Sequence, residues 1–151
     1  MSFQQKNIAV SLANFSLILT IFIIRVFQMI QERSFNSTNV FRLWGIVIAL
    51  AVLVTIFATI LTHIVSAIIQ AIKTGDENPK IEDIEDERDK LIDLRGTNVT
   101  YLVSSIGALL SMLTFVFGQP PLVLFTLLIF FGVLAQVTGD IFRLYLYRRG
   151  F

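Results

Sequence analysis

Three ionisable residues stand in otherwise uncharged, apolar stretches of this chain: Arg25, His63 and Asp140. A charged group inside an apolar helix is costly unless it is paired or hydrated, so each is a candidate functional residue. Asp140 lies three residues before Arg143, a spacing that places the two on one helical face. Asp140 and Arg143 can neutralise one another as a structural ion pair. The sharper alternative is a coupling-ion site that Asp140 shares with Gln136 or His63. His63 has the chemistry of a proton relay or a haem ligand, but it is the single histidine, so two-histidine ligation within one chain is impossible. Its plainer reading is a hydrogen-bonded packing residue. Arg25 is placed to contact an anion or lipid headgroup, to pair with a carboxylate such as Glu32, or to snorkel to an interface.

A second concentration of chemistry is acidic. Nine of the eleven acidic residues fall between Asp76 and Asp93. Six acids between Glu82 and Asp89 suggest a divalent-cation site, yet the alternation around a central glycine that an EF-hand needs is missing. A solvated face, or a surface that docks a basic partner through Asp86, Glu87, Arg88 and Asp89, fits better. Asn78-Pro79 reads as a helix start, with Asn as cap and Pro in the first helical position. Ile81, Ile84, Leu91 and Leu94 then recur near a helical period, and Asp86 and Lys90 form an i,i+4 pair. The segment is therefore expected to be a short amphipathic helix that leads through Arg95-Gly96 into the third span and whose apolar edge packs on the bundle or lies on headgroups.

The elements that must hold these residues are apolar. The chain has 151 residues, 55% hydrophobic and 15% charged, against about a quarter charged in soluble domains. Its mean hydropathy is +0.76. A hydrocarbon core needs about 20 helical residues, and four stretches qualify: approximately 8–30, 43–72, 97–117 and 121–146. The second is long enough to tilt or to extend beyond the bilayer. Gly96 to Gly139 has no charged residue and is too long for one span, and Gly118-Gln119-Pro120-Pro121 divides it. Consecutive prolines cannot continue a helix, but Pro121 can open one. The first stretch runs into Arg25 with no small-x-small site, so it is expected to be a retained span rather than a cleaved leader. The expected fold is all-α: a single domain, 1–151, forming an integral membrane four-helix bundle with the amphipathic helix in the loop 73–96.

Basic residues set the expected orientation. With the N-terminus inside, nine lie on the inner side (Lys6, Lys73, Lys80, Arg88, Lys90, Arg95, Arg143, Arg148 and Arg149) against Arg33 and Arg42 outside. Both termini and the acidic loop are expected in the cytoplasm. Tyr145 and Tyr147 read as one interfacial anchor and Trp44 as another.

Each span also carries a polar or small stripe: Asn7, Ser11 and Asn14; Thr55, Thr59, Thr62 and Ser66; Thr97, Thr100, Ser104, Gly107, Ser111 and Thr114; Gly132, Gln136, Gly139 and Arg143. Such stripes line a path for an ion or solute, or pack helix on helix, and small residues are ordinary packing residues in membrane bundles. The absence of cysteine excludes disulfides and thiolate metal sites, and one histidine argues against a zinc site. No basic stripe with interleaved aromatics points to nucleic acid. No nucleophile–base arrangement, phosphate loop or ligand cluster points to an enzyme, and no cofactor is expected.

The run Asp86-Glu87-Arg88-Asp89-Lys90-Leu91-Ile92-Asp93-Leu94-Arg95, with Tyr101 opening the next span and the ending Leu144-Tyr145-Leu146-Tyr147-Arg148-Arg149-Gly150, resembles a family of small, uncharacterised four-span bacterial membrane proteins. The resemblance covers roughly 82–150. It implies a four-span protein of the bacterial inner membrane and, through relatives that lie beside helix-turn-helix regulators, a link to signalling. It carries over no catalytic residue.

The expected role is non-enzymatic, regulatory or structural: a bundle among membrane lipids that presents its acidic helix to a cytoplasmic protein partner and self-associates as a homo-oligomer. The alternative is a small transporter or channel component with Arg25, His63 and Asp140 along a polar path.

Overall fold

Two turns with the same hydrogen-bond pattern close the first and third helices, one on a glycine and one on an arginine. Gly118 has φ 80°. Its N–H bonds the Phe115 carbonyl, and the Gln119 N–H bonds that of Thr114, both at 3.0 Å. This is the paired closure of a helix end on a left-handed residue. At the other turn Arg33 takes the left-handed position, φ 54°. Its N–H reaches the Ile30 carbonyl, and the Ser34 N–H reaches that of Met29. The next helix is capped by Asn36, whose side-chain oxygen accepts the Asn39 N–H at 2.9 Å. Asn39 in turn donates to the Ser34 carbonyl.

The computed structural model describes residues 3–74 and 87–149; the side chains of Phe3 and of eleven residues between Ala58 and Thr74, His63 among them, lie outside that description. The described chain is all α: α1 (Phe3–Gln31), α2 (Ser37–Thr74), α3 (Glu87–Val116) and α4 (Pro121–Arg149). All four helices are long and apolar enough to cross a membrane. α4 opens on Pro121, where a missing N–H costs nothing. The expected interruption at Gly118–Pro121 is where α3 ends and α4 begins.

α4 is the hub. It packs most extensively on α3, then on α1, and more lightly on α2, while α1 also packs on α2. Ile18 and Phe22 of α1, Leu43 and Val47 of α2 and Val133 of α4 form the central core. A second cluster, Ile92, Leu146 and Tyr147 with Ile8 and Phe142, joins α1, α3 and α4 where α1 and α3 begin and α4 finishes. Among the described side chains, none of α2 beyond Val47 is buried. The exterior is rich in exposed Leu, Ile, Val and Phe along all four helices, far more than a water-facing monomer normally shows.

α3 and α4 touch through small residues. A Cβ on Gly107 would overlap the side chain of Phe131, one on Gly96 would overlap Arg143, and one on Gly139 would overlap the Thr100 hydroxyl. Close approach of this kind maximises dispersion contact between helices.

Two expectations need correction. The helix does lead through Arg95 and Gly96 into the third span, α3 running unbroken from Glu87 to Val116, but its apolar edge is not the expected one. Its inward residue there is Ile92, only 1% exposed, whereas Leu91 and Leu94 face outward. Because the helix is continuous, the small-residue stripe of its later turns sets the phase, and Ile92 lies four residues before Gly96 on that stripe. The expected start at Asn78-Pro79, with Ile81, Ile84 and Asp86, lies outside the described residues. Tyr147 is also no exposed interfacial anchor. It is buried and turned towards α3, while Tyr145 faces outward.

Candidate functional site

The start of α3 meets the end of α4 at Arg143. Its position near the end of α4 brings the guanidinium against the first turns of α3, where Gly96 leaves room for its aliphatic stem. Nε donates to Asp93 Oδ1 at 2.8 Å. Nη1 donates to Asp140 Oδ1 at 3.0 Å, and Nη2 to Thr97 Oγ1 at 2.9 Å. The planar fork of donors suits such divergent contacts better than an ammonium would. Asp140, on the same helix three residues earlier, extends the network to α1. Ser11 Oγ donates to Asp140 Oδ2 at 2.6 Å, and Gln136 Nε2 donates to Oδ1 at 3.3 Å. Both carboxylate oxygens therefore have partners.

The electrostatics follow from burial. The Asp140 side chain is 3% exposed and that of Arg143 11%, so their attraction is little screened. Asp93 is 65% exposed and remains largely solvated. Taking one member from a buried pair leaves an uncompensated charge, at about 3–5 kcal/mol.

One turn earlier on α3, Tyr147 Oη donates to Asp89 Oδ1 at 2.7 Å, and the Arg88 guanidinium lies 5.9 Å from the centre of the Tyr147 ring. The start of α3 is thus fastened to the end of α4 at two levels.

The expected site residues divide clearly. Gln136, Asp140 and Arg143 come together, with Asp140 and Arg143 as an ion pair. Arg25 does not join them: it is exposed, and its Nη1 donates to Gln28 Oε1 at 3.3 Å. It lies fourteen residues beyond Ser11 on α1, about 21 Å along the axis. His63 is in α2, but its side chain is among those not described, as are those of Thr59, Thr62 and Ser66. Of the docking candidates, Glu87 and Arg88 are exposed, Asp89 is half-buried and engaged by Tyr147, and Asp86 is outside the described residues. Gly132, placed on the polar stripe of α4, is exposed with nothing within 4 Å of a Cβ there.

The hydroxyl stripes mostly close on their own helices. Thr55 donates to the Ala51 carbonyl, Thr100 to Gly96, Ser111 to Gly107 and Thr114 to Ser111. Thr126 and Thr138 on α4 do the same with Leu122 and Leu134. Among the described residues, no group of three or more His, Asp or Glu side chains is arranged to hold a metal ion. Ser11, Thr97 and Asp93 belong to the site, although their local sequence marks them only as members of a polar stripe or of the acidic run. Their signal was the polar character of Ser11 and Thr97 at the same depth as Asp140.

Comparison of the chain with protein-family models, with curated proteins and with solved structures finds no match to any of them.

Proposed function

We propose that this chain is a non-enzymatic, multi-span membrane protein of the bacterial inner membrane, regulatory or structural in role, that presents the acidic segment ahead of α3 to a basic cytoplasmic protein. Four apolar helices, a lipid-like exterior and the nine-to-two asymmetry of basic residues support the placement. The observation that carries the role is the double fastening of α3 to α4 through Asp93–Arg143 and Asp89–Tyr147. The acidic segment enters α3 from a fixed base, with Glu87 exposed at its edge. A rigid base lowers the ordering cost of docking a partner. Self-association fits the same picture, since Gly45 and Gly132 leave space for the close approach of a second copy.

A photo-crosslinking residue at Glu87, in cells, tests this reading. A discrete protein adduct that disappears when Asp86 and Glu87 are both changed to Lys supports it. Adducts that persist unchanged after that reversal sink it.

The transporter reading keeps one favourable observation, the buried Asp140 with Ser11 and Gln136 around it. Proteoliposomes that pass a monovalent cation or protons, and stop doing so in Asp140→Asn, would favour it. The closure of the hydroxyl stripes on their own helices favours packing instead.

A further inference from the structure

Between α1 and α4, beside the Arg143 network but not part of it, lies a cleft of about 450 Å³. That is within the range of small-molecule sites, roughly 300–1,000 Å³. α4 lines it with Ile141, Leu144, Tyr145, Tyr147 and Arg148, and α1 with Leu12 and Gln5. Ile141, Leu144, Tyr145 and Arg148 are spaced i, i+3, i+4, i+7, a helical stripe, and Tyr147 borders it from the α3 side. Along that stripe the chemistry changes in one direction, from two aliphatic residues through an aromatic to a cation, over about 10 Å. The facing wall changes in the same sense. Leu12 lies deeper along α1, and Gln5 two turns nearer its start.

The mouth is cationic. Arg148 is exposed and forms no ion pair with a described residue. Arg149 lies 5.5 Å from the centre of the Tyr145 ring, and Lys6, next to Gln5, is exposed. Among the described carboxylates at this end, Asp93 and Asp140 are paired with Arg143, and Asp89 accepts from Tyr147 on the side of α3. An apolar floor with a cationic rim complements a molecule with an apolar tail and an anionic head.

We propose that this cleft binds one anionic phospholipid, with an acyl chain along Leu12, Ile141 and Leu144 and the phosphate at Arg148. The site rests on the multi-span reading, which puts such lipids beside it. Basic residues at a membrane surface attract anionic headgroups, and long-stemmed cations beside aromatic rings are suited to that depth.

Native mass spectrometry of the purified full chain tests the proposal, with phosphatidylglycerol, phosphatidylcholine or inorganic phosphate added. The expected result is one retained phosphatidylglycerol, held about fivefold more tightly than phosphatidylcholine. Arg148→Gln should lower phosphatidylglycerol retention by about the same factor and leave phosphatidylcholine unchanged. Leu144→Trp, which fills the floor, should lower both. Equal retention of the two lipids, or wild-type retention by Arg148→Gln, overturns the site, as does displacement of the lipid by inorganic phosphate. Alkaline extraction of membranes separates the two readings. Chain that stays in the pellet while lipid selectivity is absent removes this site and leaves the multi-span reading standing. Chain released by alkali removes both.

Discussion

Tyr147 donates its hydroxyl to Asp89 at 2.7 Å, across 58 residues of chain. The contact joins the last turn of α4 to the first turn of α3, one turn outside the Asp93–Arg143 bridge. A phenol and a half-buried carboxylate thus hold together two helix ends that would otherwise fray. Tyr147→Phe keeps the ring packing and removes the bond. The expected loss is about 1 kcal/mol, since Asp89 keeps some access to water. Amide exchange over 87–92 should speed up by roughly fivefold, as ~1 kcal/mol implies, while exchange in the middle of α3 stays unchanged.

Arg143→Ala should be the most damaging single change at this end. It strands Asp140 in a buried setting and frees Thr97 and Asp93, with an expected cost of about 3–5 kcal/mol. The double variant Arg143→Met with Asp140→Leu should recover part of that loss, because an apolar pair leaves no unpaired charge. A denaturation midpoint in detergent or bicelles reads both. A double variant no more stable than Arg143→Ala would show that the ion pair is not what sets the cost.

Glycines at the helix contacts should split into two classes. Gly107→Val and Gly139→Val collide with Phe131 and Thr100, and overpacking typically costs about 1–3 kcal/mol. Gly132→Ala meets nothing within 4 Å and should be neutral or stabilising by up to about 1 kcal/mol from helix propensity. Thermal stability measured across the three variants checks the order.

The two left-handed turn residues give opposite expectations for the same kind of exchange. Gly118→Ala places a Cβ on a residue at φ 80° and should destabilise by about 1 kcal/mol or more. Arg33→Gly relieves a non-glycine residue at φ 54° and should be neutral or mildly stabilising, within about 1 kcal/mol. Denaturation midpoints of the two single variants should move apart.

What could be read from the chain beforehand was what depends on neighbours a few residues away. The Gly118–Pro121 break, the helical content and the Asp140–Arg143 pair all follow from short spacings. Ser11, Asp93 and Thr97 reach the same site from 129, 50 and 46 residues away along the chain, and no local pattern marks such distances. The spacing of Ile81, Ile84, Leu91 and Leu94 points to Leu91 and Leu94 as the apolar edge, whereas the inward residue is Ile92. In a continuous α3 the phase is inherited from Gly96, Gly107 and Ser111, the residues that lie against α4. The neighbours Arg148 and Arg149 point to an interface for both Tyr145 and Tyr147, yet alternate residues on a helix point about 160° apart. One tyrosine of the Tyr145–Tyr147 pair therefore had to face inwards.

The central place of α4 has a consequence in time. α1 and α2 can pair as soon as both have been made. α3, with its row of Gly, Ser and Thr, meets its main neighbour only after Pro121–Arg149 has left the ribosome. Until then Asp93 and Asp89 have no Arg143 or Tyr147 to meet. Completion of the fold is thus delayed until α4 has been made, and a product halted before it would leave the small-residue face of α3 without its partner.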